Sequence, residues 1–212
     1  IYFFNNFLTP PALKPKFGDM AFYITYPNAF DRLSGNTGFS IMLHATNEPE
    51  RLKRDYDSEG CVVVDNAAIA EIRPFIRLGL TPVLIFSDLS EGYRRPASDS
   101  EVGTFFREWL TAWESKDLDT YVGSYHSEFV SQGKDLKAWR AYKAALNEKY
   151  ETIRVHPEKV QFFRHPKYTL VTFVQNYVST PAKKSGGNGF KSHGTKILYV
   201  ARENGKPRII DE

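Results

Sequence analysis

The chain has 212 residues, of which 42% are hydrophobic and 15% aromatic, enough apolar material for one large core or two smaller ones. Its 28 basic and 25 acidic residues give a formal net charge of only +3, with both signs spread along the chain, so the composition argues against a nucleic-acid partner. The single cysteine excludes an internal disulfide, so the fold does not require an oxidising compartment.

The first residues, IYFFNNFLTPPALKPKFG, are apolar only in short stretches, below the roughly 18 residues that a membrane helix needs. Because the sequence does not begin with Met, we expect it to belong to a longer chain with a signal peptide upstream.

Residues 20–86 contain short apolar runs rich in strand-forming residues, separated by Gly, Asn, Asp and Pro, which predicts a mainly β region. One crossing helix is predicted over residues 65–79, where Ile69, Ile72 and Ile76 recur at helical spacing. The predicted strands are MAFYITYP (20–27), FSIML (39–43), CVVV (61–64) and TPVLIF (81–86).

A polar stretch without periodicity, SDLSEGYRRPASDSE (87–101), indicates a linker. We therefore predict a first domain over residues 1–88, a linker over 89–97 and a second domain over 98–212.

The second domain is predicted to be α+β, with three helices followed by a curved antiparallel sheet. Ser98 and Glu101 form a possible capping box for a long amphipathic helix, and Asp117 or Asp119 can cap a short one. After the third helix, DLKAWRAYKAALNEKY, the apolar period changes to two, and Asn204-Gly205 suggests a hairpin turn. The predicted strands are TIRVH, KVQFFRH, YTLVTFVQNYVST and TKILYVARENGKPRIIDE.

Cys61 and His44 are the candidate catalytic pair. A cysteine nucleophile needs a base that takes its proton and donors that hold the oxyanion formed on attack. His44 ends one apolar run and Cys61 begins the next, so adjacent strand ends can bring them together. Gly60 gives a tight turn whose backbone N–H groups can face a substrate carbonyl. The alternative is that Cys61 is core filler, as free cysteines commonly are.

The set Gly38, His44, Ser58, Gly60 and Cys61 resembles the signature of the YkuD-type L,D-transpeptidase family, an apolar strand ending in His followed by Ser/Thr-His-Gly-Cys. The resemblance extends from about Gly18 to Phe86. It implies mixed sheets and one crossing helix, with the family's first strands absent from this chain. The chain departs from the family at two positions, where Glu59 replaces the usual His and Val63 the usual Arg.

Residues 98–212 resemble the NTF2-like cone. The combination of the two domains resembles the cell-shape-determining peptidoglycan L,D-carboxypeptidases of helical and curved Gram-negative bacteria. This resemblance implies a periplasmic enzyme that removes terminal D-alanine from tetrapeptide stems through a cysteine thioester. A cross-linking L,D-transpeptidase and a catalytically inactive wall-binding or glycan-binding module are the open alternatives.

Other polar residues are candidates for substrate binding. Ser58 and Glu59 precede the cysteine, and Tyr26 and Asn28 lie in the stretch before the histidine strand, although a polar loop explains them equally well. Arg51 and its basic neighbours could attract an acidic stem peptide or form a solvated loop.

We expect no cofactor and no metal, because the remaining histidines share no ligand spacing. These histidines are His126, His156, His165 and His193. Aromatic residues of the second domain could line a pocket for a sugar or glycan, and its sheet could form a homodimer. The candidate pocket residues are Trp109, Trp113, Tyr125, Trp139, Tyr142, Gln175 and Tyr177.

Overall fold

The computed structural model describes residues 1–55, 57–86, 100–183 and 187–212. The chain divides into two compact units, Ile1–Ser87 (unit 1) and Asp88–Glu212 (unit 2). The predicted linker over 89–97 lies outside the described residues, and the exact domain boundary stays a prediction.

Unit 1 is built on a five-stranded mixed sheet. Its strands are β1 (Tyr2–Leu8), β2 (Ala21–Ile24), β3 (Met42–His44), β4 (Val62–Val63) and β5 (Pro82–Val83). The spatial order is β4-β3-β2-β1-β5, and β3 and β4 form its parallel pair. The helices are α1 (Ala29–Leu33) and α2 (Asn66–Ile72), and short 3-10 turns cover Pro15–Phe17, Pro49–Lys53 and Arg73–Phe75.

Three details of unit 1 differ from the sequence predictions. The helix predicted over 65–79 is α-helical only to Ile72, because Pro74 has no N–H to donate and the chain tightens into a 3-10 turn. The stretch around Asn28, interpreted as a polar loop, forms α1. β1 was not predicted, because two asparagines interrupt its apolar run; it pairs with β2 and β5 on either side.

Unit 2 places three helices before a four-stranded antiparallel sheet of order β11-β10-β9-β8. The helices are α3 (Glu101–Ser115), α4 (Leu118–Gly123) and α5 (Leu136–Lys149), and a short hairpin joins β6 (Val130–Ser131) to β7 (Lys134–Asp135). The sheet contains β8 (Tyr150–Arg164), β9 (Thr169–Pro181), β10 (Phe190–Glu203) and β11 (Lys206–Asp211).

Local signals explain most boundaries of unit 2. Asp117 caps α4, and Asn204 and Gly205 adopt positive φ angles in the tight turn between β10 and β11. The cap of α3 is Ser100, whose hydroxyl accepts from the Gly103 N–H; the predicted cap Ser98 lies outside the described residues.

The predicted strands TIRVH and KVQFFRH are one continuous strand, β8. A register shift between Glu158 and Gln161 marks a β-bulge, and Lys159 there has a φ of +53°. The bulge allows the strand to continue past Pro157, which the sequence pattern treated as a break.

The core of unit 2 is aromatic. Trp109 of α3 is completely buried and lies against Trp113, Tyr121 and Phe173. The apolar face of α3 therefore packs against one face of the sheet, and Trp109 at its centre is a core residue.

Gly18 tests the close packing of unit 1. It adopts φ +66° and ψ −150°, a region that only glycine occupies freely, and an alanine Cβ there would lie 2.7 Å from the Thr46 backbone nitrogen. Gly18→Ala should lower the free energy of unfolding of unit 1 by about 2–4 kcal/mol. Gly35 also has a positive φ, but nothing lies within 4 Å of its Cβ position, so Gly35→Ala should cost only about 1 kcal/mol.

Urea unfolding followed by circular dichroism measures both variants. Tryptophan fluorescence reports unit 2 separately, because all three tryptophans lie there. Equal losses for the two variants would contradict the packing argument.

Candidate active site

The parallel pair β3–β4 positions Cys61 and His44. His44 is the last residue of β3, Cys61 directly precedes β4, and the register pairs Leu43 with Val62 and His44 with Val63. Paired residues share a face and successive residues alternate between faces, so Cys61 and His44 lie on the same face of the sheet.

Cys61 is a free, half-buried thiol. It packs at the margin of a small apolar cluster that includes Ala21 and Met42, and its Sγ lies 3.9 Å from the Ser40 carbonyl oxygen. The thiol is therefore held at the sheet surface without being enclosed.

His44 has one defined tautomer. Its Nδ1 lies 2.6 Å from the Ala45 carbonyl oxygen, which can only accept, so Nδ1 carries the proton and Nε2 is the basic nitrogen. The ring is 1% exposed and meets Phe17 edge-on at 4.9 Å. Burial lowers the pKa of His44, and the charges of Arg51 and Lys16 lower it further, although the Ala45 bond opposes them. His44 is thus neutral near pH 7, as a general base must be.

The residues before Cys61 form a tight turn. Gly60 has a φ of +112°, and a Cβ there would lie 3.1 Å from the Ile41 side chain. The Ser58 hydroxyl donates to the Cys61 carbonyl oxygen at 2.6 Å, whereas Glu59 is exposed. Ser58 therefore stabilises the turn; its part in substrate binding, and that of Glu59, stay predictions.

An internal ion pair stabilises the segment between the two catalytic candidates, His44 and Cys61. Arg51 Nε donates to Asp57 Oδ2 at 2.6 Å, and both side chains are half-buried. The hydrogen bond from Arg51 lowers the pKa of Asp57. From the sequence, Arg51 was interpreted as a solvated charge or as a residue that attracts substrate. The ion pair with Asp57 could not be predicted, because the two residues lie on opposite sides of a turn.

Tyr26 and Asn28 are used within unit 1. The Asn28 side chain is buried and accepts from the Asp31 N–H at 3.0 Å, and the Asp31 carboxylate accepts from the Asn28 N–H, which makes a capping box for α1. The Tyr26 hydroxyl donates to the Thr37 carbonyl oxygen at 3.1 Å. Their contact with substrate stays a prediction.

Unit 2 contains a separate cavity of about 420 Å³. Of the predicted pocket residues, five line it and two, Trp109 and Tyr125, lie in the core around it. The five are Trp113, Trp139, Tyr142, Gln175 and Tyr177.

Sequence reasoning missed the four charged residues that line the cavity, Lys143, Lys149, Lys196 and Glu212. Glu212 is buried, accepts from the Tyr125 hydroxyl at 2.6 Å and pairs with Lys196 at 2.6 Å. The ammonium of Lys143 lies 4.4 Å from the Trp113 ring centroid and 4.6 Å from that of Trp139, and burial lowers its pKa to about 8. Lys143 interrupts the apolar stripe of α5, and this interruption is the sequence feature from which a buried charge could have been predicted.

Among the described residues, no helix combines the length and apolarity needed to cross a bilayer. The same residues contain no group of three or more His, Cys, Asp or Glu that could hold a metal ion.

Two family models together match most of the chain. Residues 3–85 match the YkuD L,D-transpeptidase catalytic domain, and residues 101–212 match the Cds6 C-terminal NTF2-like domain. The chain belongs to the family that joins these two domains. The first match begins before Gly18, the start of the sequence resemblance, and so includes most of β1.

Two solved structures align with 99% of this chain. Bd1075 of Bdellovibrio bacteriovorus is 32% identical with a TM-score of 0.73, and the alignment covers 99% of this chain and 74% of that one. Pgp2 of Campylobacter jejuni, described as a helical cell shape determining protein, is 20% identical with a TM-score of 0.61 over 99% and 72% of the chains, which shows a shared fold. No curated protein has a detectable match to this chain.

The lowered pKa of His44 predicts a pH-dependent stability of unit 1. In the unfolded chain the imidazole binds a proton below about pH 6.5, whereas the buried native ring resists it, so unfolding takes up a proton and becomes easier as the pH falls. The free energy of unfolding should therefore decrease below pH 6.5, by up to about 1.4 kcal/mol per pH unit. His44 is the only histidine of unit 1, so His44→Gln should remove the imidazole's contribution to this slope and leave the smaller one from the Ile1 amino group, whose pKa burial also lowers.

Urea unfolding between pH 5 and pH 8, followed by circular dichroism, measures the effect. An unchanged slope in His44→Gln would show that the native imidazole titrates normally.

Proposed function

We propose that the protein is a peptidoglycan L,D-carboxypeptidase that removes terminal D-alanine from tetrapeptide stems to give tripeptides, and thereby affects cell shape. The observation that carries the proposal is the placement of Cys61 on the same sheet face as a buried, neutral His44 whose Nε2 is the basic nitrogen. The YkuD match supplies the substrate class.

The reaction would proceed in two steps. Cys61 Sγ attacks the carbonyl carbon at the L-centre of meso-diaminopimelate while His44 Nε2 takes the thiol proton. The N–H groups of Gly60 and Cys61 would stabilise the oxyanion, and the protonated His44 then gives its proton to the departing D-alanine amine as the C–N bond breaks. His44 next takes a proton from water as the water oxygen attacks the thioester carbonyl. The C–S bond then breaks, and His44 returns the proton to the leaving thiolate, which releases the tripeptide and regenerates the thiol.

The pairing of a YkuD domain with an NTF2-like domain is the feature on which we base hydrolysis rather than transfer to a second stem. A cross-linking transpeptidase would use the same acyl-enzyme, and an inactive wall-binding module would leave Cys61 unreactive. Both alternatives remain open to experiment. Because the proposed substrate is peptidoglycan, we propose that the protein acts in the periplasm.

Incubation with a purified tetrapeptide muropeptide tests the reaction. Mass spectrometry should detect tripeptide and free D-alanine with the parent protein and neither product with Cys61→Ala, because no nucleophile remains. His44→Gln should reduce turnover by at least about a hundredfold, the usual contribution of a general base.

An acceptor stem added in parallel separates the alternatives. Cross-linked dimers would replace the carboxypeptidase proposal with transpeptidation. Absence of products, together with failure of a thiol-reactive probe to label Cys61 in the folded protein, would favour the binding module.

A second role, sugar or glycan binding by unit 2, is supported by the cavity. Gln175 Oε1 is buried without a hydrogen-bond partner among the described residues, and Gln175 lines the same cavity as the rings of Trp139 and Tyr142. A sugar hydroxyl could donate to this oxygen while the sugar ring packs on an aromatic face.

Gln175→Leu should weaken co-sedimentation with peptidoglycan sacculi by roughly fivefold to tenfold, because one hydrogen bond is lost. Gln161→Leu, on β8 and outside the cavity, is the matched control and should bind normally. Equal binding by both variants would remove Gln175 from the proposed contact.

The homodimer stays a prediction, which sedimentation analysis of the parent protein tests.

A further inference from the structure

The segment Gly38–Ile41 lies directly beside the candidate nucleophile. Its Ser40 carbonyl oxygen is 3.9 Å from Cys61 Sγ, and the Ile41 side chain faces the Gly60 turn. Within this segment Phe39 is 85% exposed, the highest value among the large hydrophobic residues that the structure describes. An aromatic side chain at the nucleophile is therefore left in solvent.

Hydrogen bonds hold the chain on both sides of the exposed Phe39. The Tyr26 hydroxyl holds the Thr37 carbonyl at 3.1 Å, and the Ile24 N–H donates to the Ile41 carbonyl at 3.0 Å. Ile41 itself is half-buried and packs against the apolar cluster around Phe22. The segment that carries Phe39 is therefore held at both ends.

Backbone strain accompanies this arrangement. Gly38 has a φ of +110°, and Ser40, which has a Cβ, has a φ of +64°. A left-handed conformation at a residue other than glycine is disfavoured, and such residues concentrate at functional sites. The disfavoured conformation is at Ser40, the residue whose carbonyl oxygen lies 3.9 Å from the thiol and which directly follows Phe39.

We infer that Phe39 is a substrate-contacting residue, which packs on the aliphatic parts of the two stem residues that flank the scissile bond. The inference rests on the proposed function, because that reaction fixes which bond lies at Cys61. Burying the ring under an apolar part of the ligand removes the exposed surface from water, which gives the contact its free energy.

The distance along the stem peptide explains why Phe39 would contact the residues beside the scissile bond rather than the sugar. Three stem residues separate the scissile bond from the glycan, and an extended chain spans about 10 Å over three residues. The residues beside the bond, diaminopimelate with its methylene chain and D-alanine with its methyl group, are the apolar groups that reach a side chain next to the nucleophile.

Binding of the tetrapeptide in the Cys61→Ala background tests the contact without requiring turnover. Adding Phe39→Ala should raise the dissociation constant measured by calorimetry roughly tenfold, and Phe39→Trp should restore it, because a flat apolar ring is all that the contact needs. Phe75, 79% exposed in the same unit, provides the matched control, and Phe75→Ala should bind as the background does.

Turnover by the Phe39→Ala single variant gives the second readout. The loss in kcat/KM should appear mainly in KM, while the rate of Cys61 alkylation by iodoacetamide stays unchanged, since the small reagent does not contact the ring. The same loss is expected with a sugar-free tetrapeptide.

Each contrary result overturns the inference in a distinguishable way. An unchanged dissociation constant shows that Phe39 makes no contact, and slower alkylation of Cys61 assigns it a structural role. A loss confined to the sugar-bearing substrate moves the contact to the glycan. A tenfold binding loss without any D-alanine release from the parent protein would instead contradict the proposed hydrolysis and leave the contact standing.

Discussion

The parallel pairing of β3 with β4 is the constraint on which the candidate active site depends. It brings residues 44 and 61 to one face of the sheet, although a polar segment separates them in sequence. A slip of one residue would turn Cys61 to the opposite face, so the register must be fixed. The Arg51–Asp57 ion pair and the Ser58 bond to the Cys61 carbonyl tie the intervening chain, which stabilises this register.

Burial lowers the pKa of a key side chain in each unit. For His44, the loss of water disfavours the imidazolium and leaves a neutral base. For Lys143, burial lowers the pKa to about 8, which still leaves most of the amine charged at pH 7, and the surrounding aromatic rings stabilise that charge. Desolvation therefore disfavours the charged form of both side chains, but it leaves only His44 neutral at pH 7.

The Cys61–His44 placement was predictable because both residues stand at the ends of apolar runs, where the pattern itself locates strand boundaries. Features that depend on distant partners were not: β1 contains two asparagines and owes its conformation to β2 and β5. The bulge in β8 could not be predicted either, so the sequence pattern indicated a strand end at Pro157 although the strand continues past it. Lys143 interrupts the apolar stripe of α5 in the sequence, but only the folded structure shows the aromatic rings around its amine.

The departure from the family motif at Glu59 bears on the choice between water and an amine. Ser58 and Asp57 are committed to internal hydrogen bonds, so Glu59 is the polar side chain of the turn that faces solvent. An acceptor amine must lose its proton before it can attack a thioester, and a nearby carboxylate would stabilise the protonated form. Water carries no such charge. A carboxylate at this position would therefore slow transfer to an acceptor stem more than hydrolysis, in agreement with the proposed carboxypeptidase.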